Sequence, residues 1–170
     1  LAQYLIKKKN LNYSYRLIFI PETIGSIYYI KKNYKQLKNR LLCGFVLSCV
    51  GDERSYSIIN SRYKNNLSEK ILEVILKNKK NLKKYSFLDR GSDERQFCSA
   101  LTDLPFCGFS KSKYGEYPEY HTSADNFNIV TAKGLQESFN VFTKVIEGME
   151  LSYNKPKAFF KCEPFMGKRN

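Results

Sequence analysis

Cys43-Gly44-Phe45-Val46-Leu47-Ser48-Cys49-Val50-Gly51-Asp52 is a short apolar run that stops at a glycine and an acid. A continuous apolar run bounded by a turn signal reads as a strand buried on both faces, the kind found in parallel sheets. A second run, Tyr13-Ser14-Tyr15-Arg16-Leu17-Ile18-Phe19-Ile20, is β-rich and ends at Pro21. Between the two, Ile27, Ile30, Tyr34 and Leu37 recur at helical spacing. This alternation predicts an α/β domain, a three-layer αβα sandwich around a mixed, mostly parallel sheet.

Further out the pattern continues. Residues 1–9 read as the tail of a helix, and residues 55–60 as a shorter strand. Asn66 followed by Glu69 resembles a capping box. It opens a helix with an expected inner face of Leu67, Ile71, Val74 and Ile75, and lysines gather at its C-terminal end, where the helix dipole favours them. Residues 87–120 are loop-rich, with a strand near 104–109. Thr131 can cap a last long helix whose expected buried stripe is Leu135, Phe139, Phe142, Ile146 and Met149. We read residues 1–150 as the C-terminal portion of one α/β domain. Residues 151–170 form a trailing segment leading toward a further C-terminal region. The start at Leu1, inside a helical pattern, suggests a piece of a longer protein.

Composition narrows the function classes. The chain has 170 residues, with 42% apolar and 26% charged residues, as an ordinary globular domain does. No apolar run approaches the roughly 20 residues that span a bilayer, so no membrane partner is expected. Cys43, Cys49, Cys98, Cys107 and Cys162 show no paired spacing, which argues for reduced thiols, a cytoplasmic location and no cysteine-rich zinc site. The net charge of +13 invites a nucleic-acid reading, but its distribution opposes one. Residues 1–85 hold 18 basic and 5 acidic side chains, mostly lysines at helix ends, whereas residues 86–130 hold 4 and 7. We expect no nucleic-acid partner. Glycine loops for phosphate and a GxSxG elbow are also missing.

The acidic segment is where chemically capable residues gather. Ligands of open α/β sheets bind beyond the carboxyl ends of the strands. Glu22 and Asp52 each follow an expected strand, so both are placed on that edge. Glu22 fits a carboxylate at a helix N-terminus, or a metal ligand or general base. Asp52 fits a turn carboxylate as well as a ligand. Arg90-Gly91-Ser92-Asp93-Glu94-Arg95 puts two acids between two arginines, either an ion-pair network or carboxylates beside a metal. His121 is the only histidine, in a loop rigidified by aromatics and proline, with Asp125 four residues on. Histidine commonly ligates metals with a carboxylate orienting it.

Four motifs occur in order: Pro21-Glu22-Thr23-Ile24-Gly25-Ser26, Cys49-Val50-Gly51-Asp52, Arg90-Gly91-Ser92-Asp93-Glu94-Arg95-Gln96, and Lys113-Tyr114-Gly115-Glu116-Tyr117-Pro118-Glu119-Tyr120-His121-Thr122-Ser123-Ala124-Asp125-Asn126. Together they resemble a bacterial aminopeptidase-like family often found near polysaccharide-biosynthesis genes and similar in fold to zinc exopeptidases. The resemblance implies metal-assisted hydrolysis of a peptide or other amide, with zinc or another divalent metal as cofactor. A two-metal site is implied only for the longer protein. His121 matches a late histidine ligand. Glu22 stands where relatives carry two adjacent glutamates, so it is implied as base or ligand. Asp52 is a displaced substitute for an aspartate ligand. Asp93 and Glu94 match a Ser-Asp-His motif, with Glu94 in place of its histidine. Asp93, Glu94, Asp125 and Tyr120 are implied to support the site or bind substrate. An early histidine and a bridging aspartate of the family fall before Leu1. A non-catalytic protein that keeps the fold is the alternative.

Overall fold

The computed structural model describes residues 1–63 and 65–153. Cys162 and the segment 154–170 lie outside them. A short helix α1 (Ala2–Lys7) leads through an irregular stretch to α2 (Ile24–Arg40), β1 (Gly44–Leu47) and β2 (Tyr56–Ile59). Then come α3 (Leu67–Leu76), β3 (Leu82–Tyr85), a 3-10 turn at Phe87–Asp89, the single-turn α4 (Glu94–Phe97), β4 (Phe106–Ser110) and α5 (Ala132–Tyr153).

The four strands form one sheet in the order β1-β4-β2-β3. β1 runs parallel to β4 and β2 parallel to β3, whereas β2 and β4 are antiparallel. Alternation along the strands separates two cores. Phe45, Tyr56, Ile58, Cys107 and Phe109 pack with Leu72 and Leu76 of α3 and Val141, Phe142 and Val145 of α5. On the other face, Val46 and Phe106 pack with Leu37 of α2 and Phe97 of α4. The expected three-layer αβα arrangement around a mixed sheet is therefore present.

Several expectations differ in detail. Residues 13–20 form no strand. Their polar groups reach helices instead: the Tyr15 hydroxyl donates to Glu150 on α5, and Arg16 donates to Tyr29 and Gln36 on α2. Phe19 is left 90% exposed, so this apolar run is not a buried strand. Glu22 thus precedes a helix but does not follow a strand. β3 escaped the apolar reading because among the described residues it is an edge strand, Leu-Lys-Lys-Tyr, whose two lysines face water.

The helix stripes also shift. α3 buries Ser68, Glu69, Leu72 and Leu76, while Leu67 and Val74 are exposed and Ile71 and Ile75 half-buried. Asn66 accepts from the Glu69 amide as a cap should. The Glu69 carboxylate does not return the bond; it accepts from Ser61 and from the Asn65 amide, closing the loop before the helix. Thr131 caps α5 through the Gly134 amide, 2.9 Å away. In the α5 stripe Phe142, Ile146 and Met149 are buried, but Leu135 is exposed and Phe139 half-buried. Gly134, Ser138, Val141 and Val145 take their share of the face. Among the described residues no helix is long and apolar enough to cross a membrane.

Candidate active-site cleft

Because β1 and β4 are parallel, the turns that follow them lie at one edge of the sheet. Antiparallel β2 brings the segment before it, Gly51 to Ser55, to the same edge. Asp52 fastens these turns together. It is buried; its Oδ2 accepts from the Ser112 amide at 2.7 Å, and its Oδ1 accepts from the Ser112 hydroxyl and the Arg54 amide. The loop that carries His121 is tied to this turn by a bidentate pair, Arg54 to Glu119 at 2.8 Å for both contacts. The Arg54 guanidinium holds the Glu119 carboxyl down at about 2.

Glu22 is positioned differently. Thr23 has φ 63° and ψ −67°, and the Ile24 amide donates to the Glu22 carbonyl at 2.7 Å. This is a γ-turn of the rare, strained hand, at a β-branched residue that ordinarily avoids positive φ. Asp93 clamps it, its Oδ1 accepting from the Thr23 amide and the Ser26 hydroxyl, both at 2.8 Å. Arg95 adds a bond to the Thr23 hydroxyl. Asp93 therefore does from α4 what a cap residue does within its own helix. We expect Asp93→Ala to destabilise the fold by about 1–2 kcal/mol, read by urea unfolding, as loss of a strong cap does.

The acids at 93 and 94 divide, but not onto the flanking arginines as their spacing suggested. Glu94 is fully buried, and its Oε1 accepts from the Gly91 and Ser92 amides and the Tyr114 hydroxyl. Its Oε2 has no partner among the described residues. Arg90 instead donates to the Phe87 carbonyl and lies over the Phe87 ring.

A hollow of about 320 Å³ opens beside the Asp52 turn, lined by Cys49, Asp52, Tyr117, Asp125 and the start of α5 at Leu135 among others; Glu22, Asp93 and His121 are not on its wall. The Tyr117 hydroxyl faces both the Cys49 sulfur and Asp125, at 3.5 and 3.2 Å. Burial pushes the Cys49 thiol up, and the charges of Asp125, Asp52 and Glu22 add to the shift. A thiol held protonated in this way is a poor nucleophile. Tyr120 is raised by burial and by the fields of Cys49 and Glu22, and its ring stacks on His121 at 3.9 Å. Cys49, Asp52, Tyr117 and Asp125 thus share the hollow, the charge of Glu22 reaches Cys49 and Tyr120, and His121 joins them through the Tyr120 ring. His121 itself is exposed. Thr23, Cys49 and His121 are three of six non-glycine residues with positive φ among those described. Such backbone strain concentrates at functional sites.

The donors present do not make a metal site. Among the described residues no three His, Cys, Asp or Glu side chains come close enough to share an ion. Asp52 spends both oxygens on Ser112 and Arg54, and Asp93 spends Oδ1 on the start of α2. Sequence reasoning missed Tyr117 and Cys49 as lining groups and the Arg54–Glu119 tie. Tyr117 and Glu119 lie within the long Tyr-Pro-Glu-Tyr-His motif, which was the signal available; nothing in the sequence paired Arg54 with Glu119.

Comparison with known proteins agrees with this fold. A Clostridium acetobutylicum protein assigned to polysaccharide biosynthesis, with an aminopeptidase-like domain, is 37% identical over 165 residues, which are 96% of this chain and 38% of that protein. The chain thus spans well under half the length of this relative. A crystal structure assigned as a C. acetobutylicum peptidase superposes with a TM-score of 0.82 at 36% identity, covering 99% of this chain and 40% of the other. A zinc aminopeptidase from Bacillus subtilis superposes with a TM-score of 0.60 at 20% identity, over 74% of this chain and 32% of that one, a likeness of fold. The family described as a domain of unknown function, DUF4910, matches residues 1–152. The chain belongs to that family, and its α/β fold is that of the aminopeptidases.

Proposed function

We propose that this chain forms one wall of the active-site cleft of an amide hydrolase that acts on a peptide N-terminus or a comparable amide, and that Glu22 is its principal working carboxylate. One observation carries the reading. Asp52, Glu94 and Glu119 are committed to structural hydrogen bonds, whereas the Glu22 carboxylate makes none among the described residues. It stands on a strained turn clamped by Asp93, near enough to the hollow for its charge to help raise the Cys49 thiol. Glu22 is exposed, its backbone held by the clamped turn and its carboxylate uncommitted, which leaves it able to take a proton from an attacking water. It is equally suited to contribute to an ion. The zinc of the fold neighbours enters this reading as an expectation for the longer protein. Glu22 and His121 are the donors this chain offers, and the remaining ligands come from outside the described residues. The name of the C. acetobutylicum relative suggests a substrate within surface-polysaccharide biosynthesis.

The test compares the whole protein with its Glu22→Gln and His121→Ala variants, measuring amide cleavage and metal content together. Glu22→Gln is expected to lower turnover by about 10²–10⁴-fold, the range of general-base catalysis. Retained metal then makes Glu22 the base, and lost metal makes it a ligand. A whole protein that cleaves no amide would favour a binding module that keeps the fold. The 170-residue chain alone, titrated with zinc, is expected to show only weak uptake, because a metal site needs several fixed ligands.

A further inference from the structure

A second cavity, of about 380 Å³, lies next to the hollow and is lined by Arg54, Lys80, Lys83, Lys113, Ser112 and Tyr117 among others. Its position follows from the sheet. Lys80 and Lys83 flank the start of β3, Arg54 precedes β2, and residues 112 to 118 follow β4, all at the edge that carries the cleft. Tyr117 lines both spaces. Asp52, on the hollow, is hydrogen-bonded to Ser112, on the cavity. Asp52 and Arg54 are two residues apart, so the two walls lie within about 7 Å along the chain.

The charge of the cavity is opposite to that of the hollow. Glu116 is the one acid on its wall, and Glu119 offsets Arg54 from outside. Lys80 and Lys83 make no ion pair among the described residues. The Lys113 side chain is 10% exposed, set against the Tyr85 and Tyr114 rings; its Nζ donates to the Tyr114 carbonyl at 3.3 Å, and its nearest carboxylate contact is at 3.9 Å. A mostly buried ammonium with so distant a counterion, in a cavity with two further free cations, is arranged for an anion that arrives from solution. Lysines on an edge strand also discourage strand pairing. That role is open to Lys83 and Lys84 alike, but it does not account for Lys113.

We propose that the cavity is an anion subsite: the substrate worked on in the Glu22 cleft carries a carboxylate or phosphate group that seats among Lys80, Lys83 and Lys113. This rests on the hydrolase reading for the identity of the cleft. The resulting substrate class is an acidic amide, with its reacting end toward the carboxylates of the hollow and its negative group toward the lysines.

The test has two arms. In the first, inorganic phosphate is titrated into the whole protein and amide NMR shifts are followed. Shifts at Asn81, Ser112 and Lys113 are expected, weaker at high salt, with affinity reduced about tenfold in Lys80→Ala/Lys83→Ala, as loss of two charge-assisted contacts predicts. Both lysines are exposed, so the fold is expected to survive; Lys113→Met serves as a further variant that keeps the apolar stem. Phosphate shifts elsewhere, or unchanged affinity in the double variant, would overturn the subsite. In the second arm the whole protein is given short amides alike at the scissile bond, followed by a neutral, a carboxylate-bearing or a phosphate-bearing group. A KM preference for one anionic form identifies which is seated, and in the double variant that preference should fall toward none. Equal KM for all three refutes the substrate class. Failure to cleave any of them refutes the hydrolase reading instead, while the first arm still decides the cavity.

Discussion

Gly134→Ala is expected to lower the thermal midpoint more than an alanine at any other glycine among the described residues. An alanine Cβ at this position would lie 2.0 Å from the Gly51 carbonyl oxygen and 2.6 Å from that of Asp52. Both obstacles are backbone, so no side-chain rotation relieves them. The close approach exists because α5 begins directly against the turn after β1, where the Thr131 amide donates to the Gly51 carbonyl at 2.9 Å. Adding a methyl must push the helix off the turn, at a cost near the upper end of overpacking, about 3 kcal/mol. For a domain of this size that is a drop of roughly 6–12 °C. Gly148→Ala is the control, since a Cβ there meets nothing within 4 Å. In a helix interior it should stabilise by up to about 1 kcal/mol. The two substitutions share a helix and a chemistry, so opposite signs in a thermal melt isolate the contact. If both stabilise, α5 does not lie where this packing puts it. In the whole protein Gly134→Ala should also impair cleavage in the molecules that stay folded, because the displaced turn is the one that carries Asp52.

The sequence made the layer order legible where burial is two-sided. β4 is buried along its whole length and β1 along most of it, between α3 and α5 on one face and α2 and α4 on the other, and α5 is long enough for its period to stand out. Legibility failed where burial is one-sided or absent. Leu17-Ile18-Phe19-Ile20 looks like a core strand, but its polar groups reach helix side chains and Phe19 faces water. Leu82-Lys83-Lys84-Tyr85 looks like a helix end, but pairs with β2. At the site, the motifs marked Glu22, Asp52, Asp93 and His121 as chemically capable residues. They could not show which carboxylates are already committed, because that depends on partners distant in sequence. Asp52 is taken up by Ser112 and Asp93 by Thr23 and Ser26, bonds that span 60 to 70 positions.

The second large effect is expected at a buried ion pair that no motif announced. Lys111, at the exit of β4, is fully buried, with its Nζ 2.5 Å from Glu137 on α5 and 3.6 Å from the centre of the Tyr56 ring. The Tyr56 hydroxyl donates to the same Glu137 oxygen at 3.0 Å, so β2, β4 and α5 meet at one carboxylate. Glu137→Ala leaves the ammonium buried without its counterion, a loss of about 3 kcal/mol, the lower end for broken buried pairs because the Glu137 side chain keeps 31% exposure. Lys111→Met should cost less, since an unbranched apolar chain fills the same space. In the Lys111→Met background the Glu137→Ala change should cost under about 1 kcal/mol, giving a coupling near 2 kcal/mol in a denaturant double-mutant cycle. Additive losses would mean that the pair contributes packing alone. The pH dependence gives a second readout. The bond from Lys111 holds the Glu137 carboxyl below its usual value. A carboxylate lowered in the folded state adds stability above its unfolded value, and that stability is lost as the pH falls through the folded one. Wild type should therefore lose stability below about pH 4 more steeply than Lys111→Met/Glu137→Ala. The next residue after Lys111 is Ser112, whose amide and hydroxyl hold Asp52. Loosening this pair consequently reaches the cleft through a single peptide unit, and the whole protein's Glu137→Ala variant should lose cleavage at temperatures where it is still folded.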